Sequence, residues 1–136
     1  MLTPVKKRVV LYADDDADDK AWVIEACKAL NCSLEMEFVG NGKEVLGYLS
    51  PLSKKEELPS LIVLDLNMPK LDGRQTLQRL KSNPTYKNIP VAIVTTSSNK
   101  MDQDVCKKLG ADLFLIKPDK QVEWENIIRQ LEPFAA

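Results

Sequence analysis

The 136-residue chain contains no histidine, which removes Ser-His and Cys-His catalysis, histidine-ligated zinc and any phosphohistidine carried on the chain itself. Its three cysteines, Cys27, Cys32 and Cys106, are an odd count at no metal-ligand spacing and are expected as reduced, mostly buried thiols. An excess of either charge is also missing. With 19 Lys and Arg against 20 Asp and Glu the net charge is -1, so no global field draws the chain to nucleic acid or to an anionic membrane. No apolar stretch approaches the ~20 residues of a membrane span. The apolar run 9–13 that follows Lys6, Lys7 and Arg8 is too short for a secretory signal, so a cytoplasmic location is expected. The remaining chemistry must run on carboxylates, hydroxyls and lysines.

At this length, with 44% hydrophobic residues, the chain suits one domain with a sizeable core, and 1–136 is read as a single unit. Residues 8–13 read as a buried strand. From Asp16 a helix follows, with Trp22, Val23, Ala26, Cys27 and Leu30 on one stripe. Residues 33–39 alternate Leu34, Met36 and Phe38 with polar neighbours, Gly40-Asn41-Gly42 breaks the chain, and Val45, Leu46 and Leu49 mark a second helix. A charged loop at 51–60 leads to strand 61–64, and helix 73–81 turns Leu77 and Leu80 inward. Strand 91–94, a helix over 100–109 closed by Gly110, and strand 113–116 come next. The last helix, with Asp119 as its cap, would bury Val122, Ile127, Ile128 and Leu131. Five short strands alternating with five helices predict a doubly wound α/β sandwich with a parallel sheet.

Open parallel sheets place their sites at the carboxyl ends of the strands, and three strands here end in charge. Asp14, Asp15 and Asp16 follow the first, Asp65 the third and Lys117 the fifth. Asp16 stands where a helix cap is wanted, and Asp18 and Asp19 fall in the first turn, where carboxylates favour the helix dipole. Asp14 and Asp15 precede the cap, where no helix needs them. Two unit charges ~4 Å apart repel by about 4 kcal/mol at an effective dielectric near 20, so gathering Asp14, Asp15 and Asp65 calls for a cation. Mg²⁺, or Mn²⁺ in its place, suits such hard oxygen ligands, and the Asn67 backbone carbonyl can add one more. Together with Lys117 the cation brings the formal charge of the three acids to zero, so an incoming phosphoryl group is not repelled. Asp65 can then act as nucleophile and form an acyl phosphate. The Thr95 hydroxyl, at the end of the fourth strand, can hydrogen-bond a phosphate oxygen, while Ser98 or Asn99 serves as a helix cap.

Asp14-Asp15, the run from Leu64 to Pro69 with Asp72-Gly73, Thr95, and Lys117-Pro118, in this order and spacing, resemble the receiver domain of two-component response regulators over essentially the whole chain. The resemblance implies a sheet in the order 2-1-3-4-5 and an aspartyl phosphate accepted from a phosphohistidine on a sensor histidine kinase. It makes Asp65 the phospho-acceptor, gives Mg²⁺ to Asp14, Asp15, Asp65 and the Asn67 carbonyl, and assigns phosphoryl binding to Thr95 and Lys117. It also makes Phe114 the switch aromatic that follows Thr95, and Asn67 and Ser97 the positions that tune the lifetime of the phosphate. Ala17 stands where proline is frequent, and Asp14 where glutamate is equally usual. The 51–60 and 83–90 segments and Thr95-Thr96-Ser97 look like the stand-alone receivers that serve cyanobacterial and bacterial phytochromes.

The expectation is therefore a receiver without an output domain, acting through the surface of its fourth helix, fifth strand and fifth helix. Its partners would be a sensor histidine kinase, phytochrome-like by the subfamily resemblance, and a downstream or phosphotransfer protein, with neither nucleic acid nor membrane. Trp124 and Phe134 leave a homodimer open. Two rival readings are a docking module that is never phosphorylated and a Mg²⁺-dependent aspartyl-phosphate phosphatase. The second acid such phosphatases usually carry is replaced here by Asn67.

Overall fold

The computed structural model describes residues 8–135. Its strands are β1 (Arg8–Ala13), β2 (Leu34–Val39), β3 (Leu61–Leu64), β4 (Val91–Thr95) and β5 (Leu113–Ile116). The helices between and after them are α1 (Ala17–Ala29), α2 (Gly42–Leu49), α3 (Gly73–Ser82), α4 (Lys100–Lys108) and α5 (Gln121–Leu131), with 3-10 turns at Lys55–Glu57 and Glu132–Ala135. All neighbouring strands pair in parallel, in the order β2-β1-β3-β4-β5, so both the doubly wound α/β class and the strand order stand as expected.

The period-2 alternation of the strands divides the core between two faces. Val10, Tyr12, Leu61, Val63, Ala92, Val94 and Leu115 meet Val23 and Ala26 of α1 and Trp124, Ile127, Ile128 and Leu131 of α5. Leu11, Ala13, Ile62, Leu64, Val91 and Ile93 meet Val45 and Leu49 of α2, Leu77 and Leu80 of α3, and Cys106 of α4. Central β3 is buried along its whole length, while edge strand β2 exposes Glu35 and Glu37 and turns Leu34, Met36 and Phe38 toward the core.

Several local expectations need correction. Trp22 is 36% exposed and Val122 is 65% exposed, against their assignment to inward stripes. The buried set on α5 is Trp124, Ile127, Ile128 and Leu131, a regular i, i+3, i+4, i+7 pattern, and Val122 lies two residues ahead of it, about 200° round the helix. Asp119 does not cap α5; Lys120 holds that position without a side-chain bond. Asp16 caps α1, Asn41 α2, Asp72 α3 and Asn99 α4, each by accepting backbone N–H bonds.

The cysteines also depart from expectation, since Cys27 and Cys32 form a disulfide and Cys106 alone is a free, buried thiol. The reason lies in how α1 ends. Asn31 adopts φ 49°, its N–H bonds the Lys28 carbonyl, and the Cys32 N–H bonds the Cys27 carbonyl. In such a Schellman ending these are the two positions whose side chains normally touch, so the backbone brings the two thiols together. Gly110, at φ +103°, closes α4 in the same way, with the Ala111 N–H on the Cys106 carbonyl. Trp124 is buried in the core, which takes it from an interface role, and Phe134 packs half-buried against that core. No described helix is long and apolar enough to cross a membrane.

Candidate functional site

Strand register brings the acids together. Ala13 of β1 lies opposite Leu64 of β3, and the Asp65 N–H continues that ladder to the Ala13 carbonyl at 3.1 Å, so Asp14 and Asp65 leave the sheet side by side. The Asp14 N–H is held by the Val39 carbonyl at 3.0 Å, and the Lys117 N–H by the Thr95 carbonyl at 2.7 Å. Each of these side chains thus starts from a backbone fixed by strand pairing, which is the preorganisation a site needs. Gly73 makes the approach of α3 possible: a Cβ there would lie 2.3 Å from the Asp65 carbonyl oxygen and 2.8 Å from Leu66 Cα.

One ammonium joins the acids. Lys117 Nζ lies 2.7 Å from Asp65 Oδ2, 2.9 Å from Asp14 Oδ2 and 2.5 Å from Asp19 Oδ2. Burial lowers the lysine, but its bonds to Asp19, Asp65 and Asp14 outweigh that and hold it well above the ordinary lysine value. Burial pushes the Asp14 carboxyl up to about 6 against the opposing pull of Lys117 and the Asp16 N–H, with Asp65 adding to the rise. Asp14 Oδ1 accepts the Asp16 N–H at 2.9 Å, and Asp65 Oδ1 accepts the Asn67 N–H at 3.2 Å.

Oxygens of Asp14, Asp15 and Asp65 lie within 4.8 Å of one another. Three carboxylates this close together could each offer an oxygen to one small divalent cation, a hard ion that takes such ligands. The charge favours one as well: among the described residues Asp14, Asp19 and Asp65 share Lys117, and Asp15 stands beside Asp14 and Asp65. The residues therefore fit the implied metal.

The remaining expected residues lie around this centre. Thr95 is fully buried at the end of β4, and its Oγ1 accepts the Ser97 N–H at 3.4 Å. The Ser97 hydroxyl is committed elsewhere, donating to Asp102 Oδ2 at 2.6 Å. Asn67 is exposed beside the acids. Phe114 is half-buried against the α2–α3–α4 side of the core and borders a cleft of about 320 Å³ that is also lined by Lys100, Gln103 and Lys107 of α4.

Asp19 is the residue that sequence reasoning assigned too narrowly. It was expected only to favour the start of α1, yet its carboxylate reaches Lys117. A signal was present: Asp19, Val23 and Ala26 share one helix face, and a carboxylate on a buried stripe needs a buried partner. Tyr12 is a second omission. Its hydroxyl is buried without a hydrogen-bond partner among the described residues, and burial, with Asp14, Asp19 and Asp65 nearby, raises its pKa well above the usual phenol value.

Comparison with known proteins agrees with this geometry. Residues 10–129 match the family model described as "Response regulator receiver domain". The chain is 32% identical over 129 residues to the response regulator Rcp1 of Synechocystis, covering 93% of this chain and 88% of that protein. The crystal structure of Rcp1 in its Mn²⁺-bound form superposes with a TM-score of 0.80 at 32% identity, over 93% of each chain. The phosphorylated cyanobacterial phytochrome response regulator RcpA superposes with a TM-score of 0.82 at 30% identity, over 94% of this chain and 93% of that one. With acids, lysine and buried threonine gathered on a 2-1-3-4-5 sheet, the chain belongs to the response regulator receiver domain family and is a receiver of two-component signalling.

Proposed function

We propose that Asp65 is the phospho-acceptor of this receiver, that Asp14, Asp15, Asp65 and the Asn67 carbonyl hold Mg²⁺, and that Thr95 and Lys117 bind the phosphoryl group. The observation that carries this reading is the position of Asp65, 5% exposed, with Lys117 Nζ 2.7 Å away and the Asp14 and Asp15 oxygens beside it. An Asp65 carboxylate oxygen forms a bond to phosphorus as the P–N bond to a kinase imidazole breaks, and the electron pair stays on the imidazole nitrogen. Lys117 orients the carboxylate and then meets the phosphoryl oxygens; Thr95 donates its hydroxyl to another of them. A bound divalent cation supplies the positive charge that lets these acids and a phosphoryl group share one site.

The chain's own chemistry would be limited to gaining and losing this phosphate. The likeness to Rcp1 and RcpA supports a phytochrome-type sensor histidine kinase as donor. Output would pass to a protein partner through α4, β5 and α5, where Met101, Val105, Ile116 and Val122 are exposed apolar side chains. Movement of Thr95 toward the phosphoryl group would let Phe114 turn inward and repack this face, while Asn67 and Ser97 set the lifetime of the phosphate. These apolar positions are also where a second copy would bind. Incubation with acetyl phosphate and Mg²⁺ tests the assignment by intact mass. The wild type should gain one phosphoryl group and Asp65→Asn none; undiminished labelling of the variant removes Asp65 from the role.

A further inference from the structure

The two loops that flank Asp65 are joined by a link outside the site itself. Arg74, in the first turn of α3, forms an ion pair through Nη2 with Asp102 Oδ1 of α4. The other oxygen of Asp102 accepts the Ser97 hydroxyl at 2.6 Å, and Ser97 Oγ in turn accepts the N–H of Asn99, the N-cap of α4, at 3.3 Å. Ser97 lies two residues beyond Thr95, whose Oγ1 accepts the Ser97 N–H. Arg74 follows Gly73, which packs directly on the Asp65 carbonyl. One carboxylate therefore connects the start of α3 beside the acceptor, the loop that follows Thr95 and the first turn of α4.

We propose that Arg74, Asp102 and Ser97 form a restraint that holds α4 and the Thr95 loop in the unphosphorylated arrangement, with Asp102 as its central positioning residue. The proposal rests on the reading of Asp65 as acceptor and of the α4 face as output. Displacement of α4 or of the Thr95 loop must stretch the Arg74–Asp102 pair or the Ser97–Asp102 bond. The restraint adds to the cost of the switched state, and its removal lowers that cost. Arg74 and Asp102 are both partly exposed, so the expected effect is modest, about two- to fivefold.

The test measures calorimetrically how tightly the full chain binds beryllofluoride, a phosphoryl mimic, in the presence of Mg²⁺, with a thermal melt of each variant to establish folding. Arg74→Ala and Asp102→Ala should both bind more tightly, by about two- to fivefold. A pure field effect moves them in opposite directions, because one loses a positive charge and the other a negative one. Ser97→Ala, which removes no charge, should also tighten binding and stands in for either variant that fails to fold. The charge-swapped pair Arg74→Asp with Asp102→Arg should return toward wild type. Opposite shifts, unchanged affinities or weaker binding in the folded variants overturn the restraint. If the wild type binds no beryllofluoride, the acceptor reading fails and the restraint falls with it; wild-type binding with unmoved variants sinks the restraint alone.

Discussion

Replacing Lys117 with methionine tests the charge arrangement most directly. The substitution keeps the length of the side chain but removes an ammonium held at 2.5, 2.7 and 2.9 Å by Asp19, Asp65 and Asp14. Removing one partner of a buried ion pair costs ~3–5 kcal/mol, because the charge left behind stays desolvated. Protonation of Asp14 limits the loss, since its carboxyl already stands near 6 and moves higher without the lysine. A carboxyl raised in the folded state contributes its stability below the unfolded value, near 4, and loses it as the pH rises through the folded value. The defect of Lys117→Met should therefore be small near pH 5 and reach about 3 kcal/mol near pH 8, or roughly 10 °C in Tm for a domain of this size. Added Mg²⁺ should restore much of it, because the cation replaces the missing positive charge. Thermal unfolding followed by circular dichroism, in chelator and in Mg²⁺ at both pH values, measures each quantity. A loss that is equal at both pH values, or that Mg²⁺ leaves untouched, refutes the reasoning.

The same Asp14 carboxyl, near 6, should make divalent-ion affinity pH-dependent: level above about pH 7 and falling about tenfold per unit below 6, as read by calorimetry. A flat profile would separate Asp14 from the metal. Gly73→Ala places a methyl group 2.3 Å from the Asp65 carbonyl oxygen and should cost about 1–3 kcal/mol in urea unfolding while slowing labelling by acetyl phosphate; wild-type behaviour in both assays would show that α3 has room to shift. Unfolded without reductant, the protein should show one reactive thiol, Cys106, and after reduction all three, with a stability loss of about 2 kcal/mol from opening so short a loop. Three thiols before reduction would exclude the Cys27–Cys32 bond.

Local chemistry was legible wherever one segment of chain sets it. The apolar run from Leu61 to Leu64 needs burial on both faces, so it reads as a central strand without any knowledge of its neighbours. Asp16 and Asn99 cap their helices because the acceptor and the N–H groups that it satisfies lie within a few residues of each other. Asp14, Asp15, Asp65 and Lys117 could be grouped from sequence because a parallel sheet carries all its strand ends to one edge.

Other features depend on contacts between distant segments. The exposure of Trp22 depends on which side of α1 faces α5 and the sheet, and an apolar stripe four or five residues wide leaves its rim undecided. The partnership of Asp19 with Lys117 needs the orientation of α1 over the end of β5, and the Arg74–Asp102–Ser97 link needs the spacing of α3 and α4. The Cys27–Cys32 bond is an intermediate case, because its partners are close in sequence and meet only through the left-handed turn at Asn31. The sequence by itself determined the alternating elements and the acidic edge, since hydrophobic period and capping are short-range. Only the tertiary structure decided that a single lysine answers three of the acids and that the loop of Thr95 is tied to two helices, since side-chain charges settle their partners once packing has fixed the distances between them.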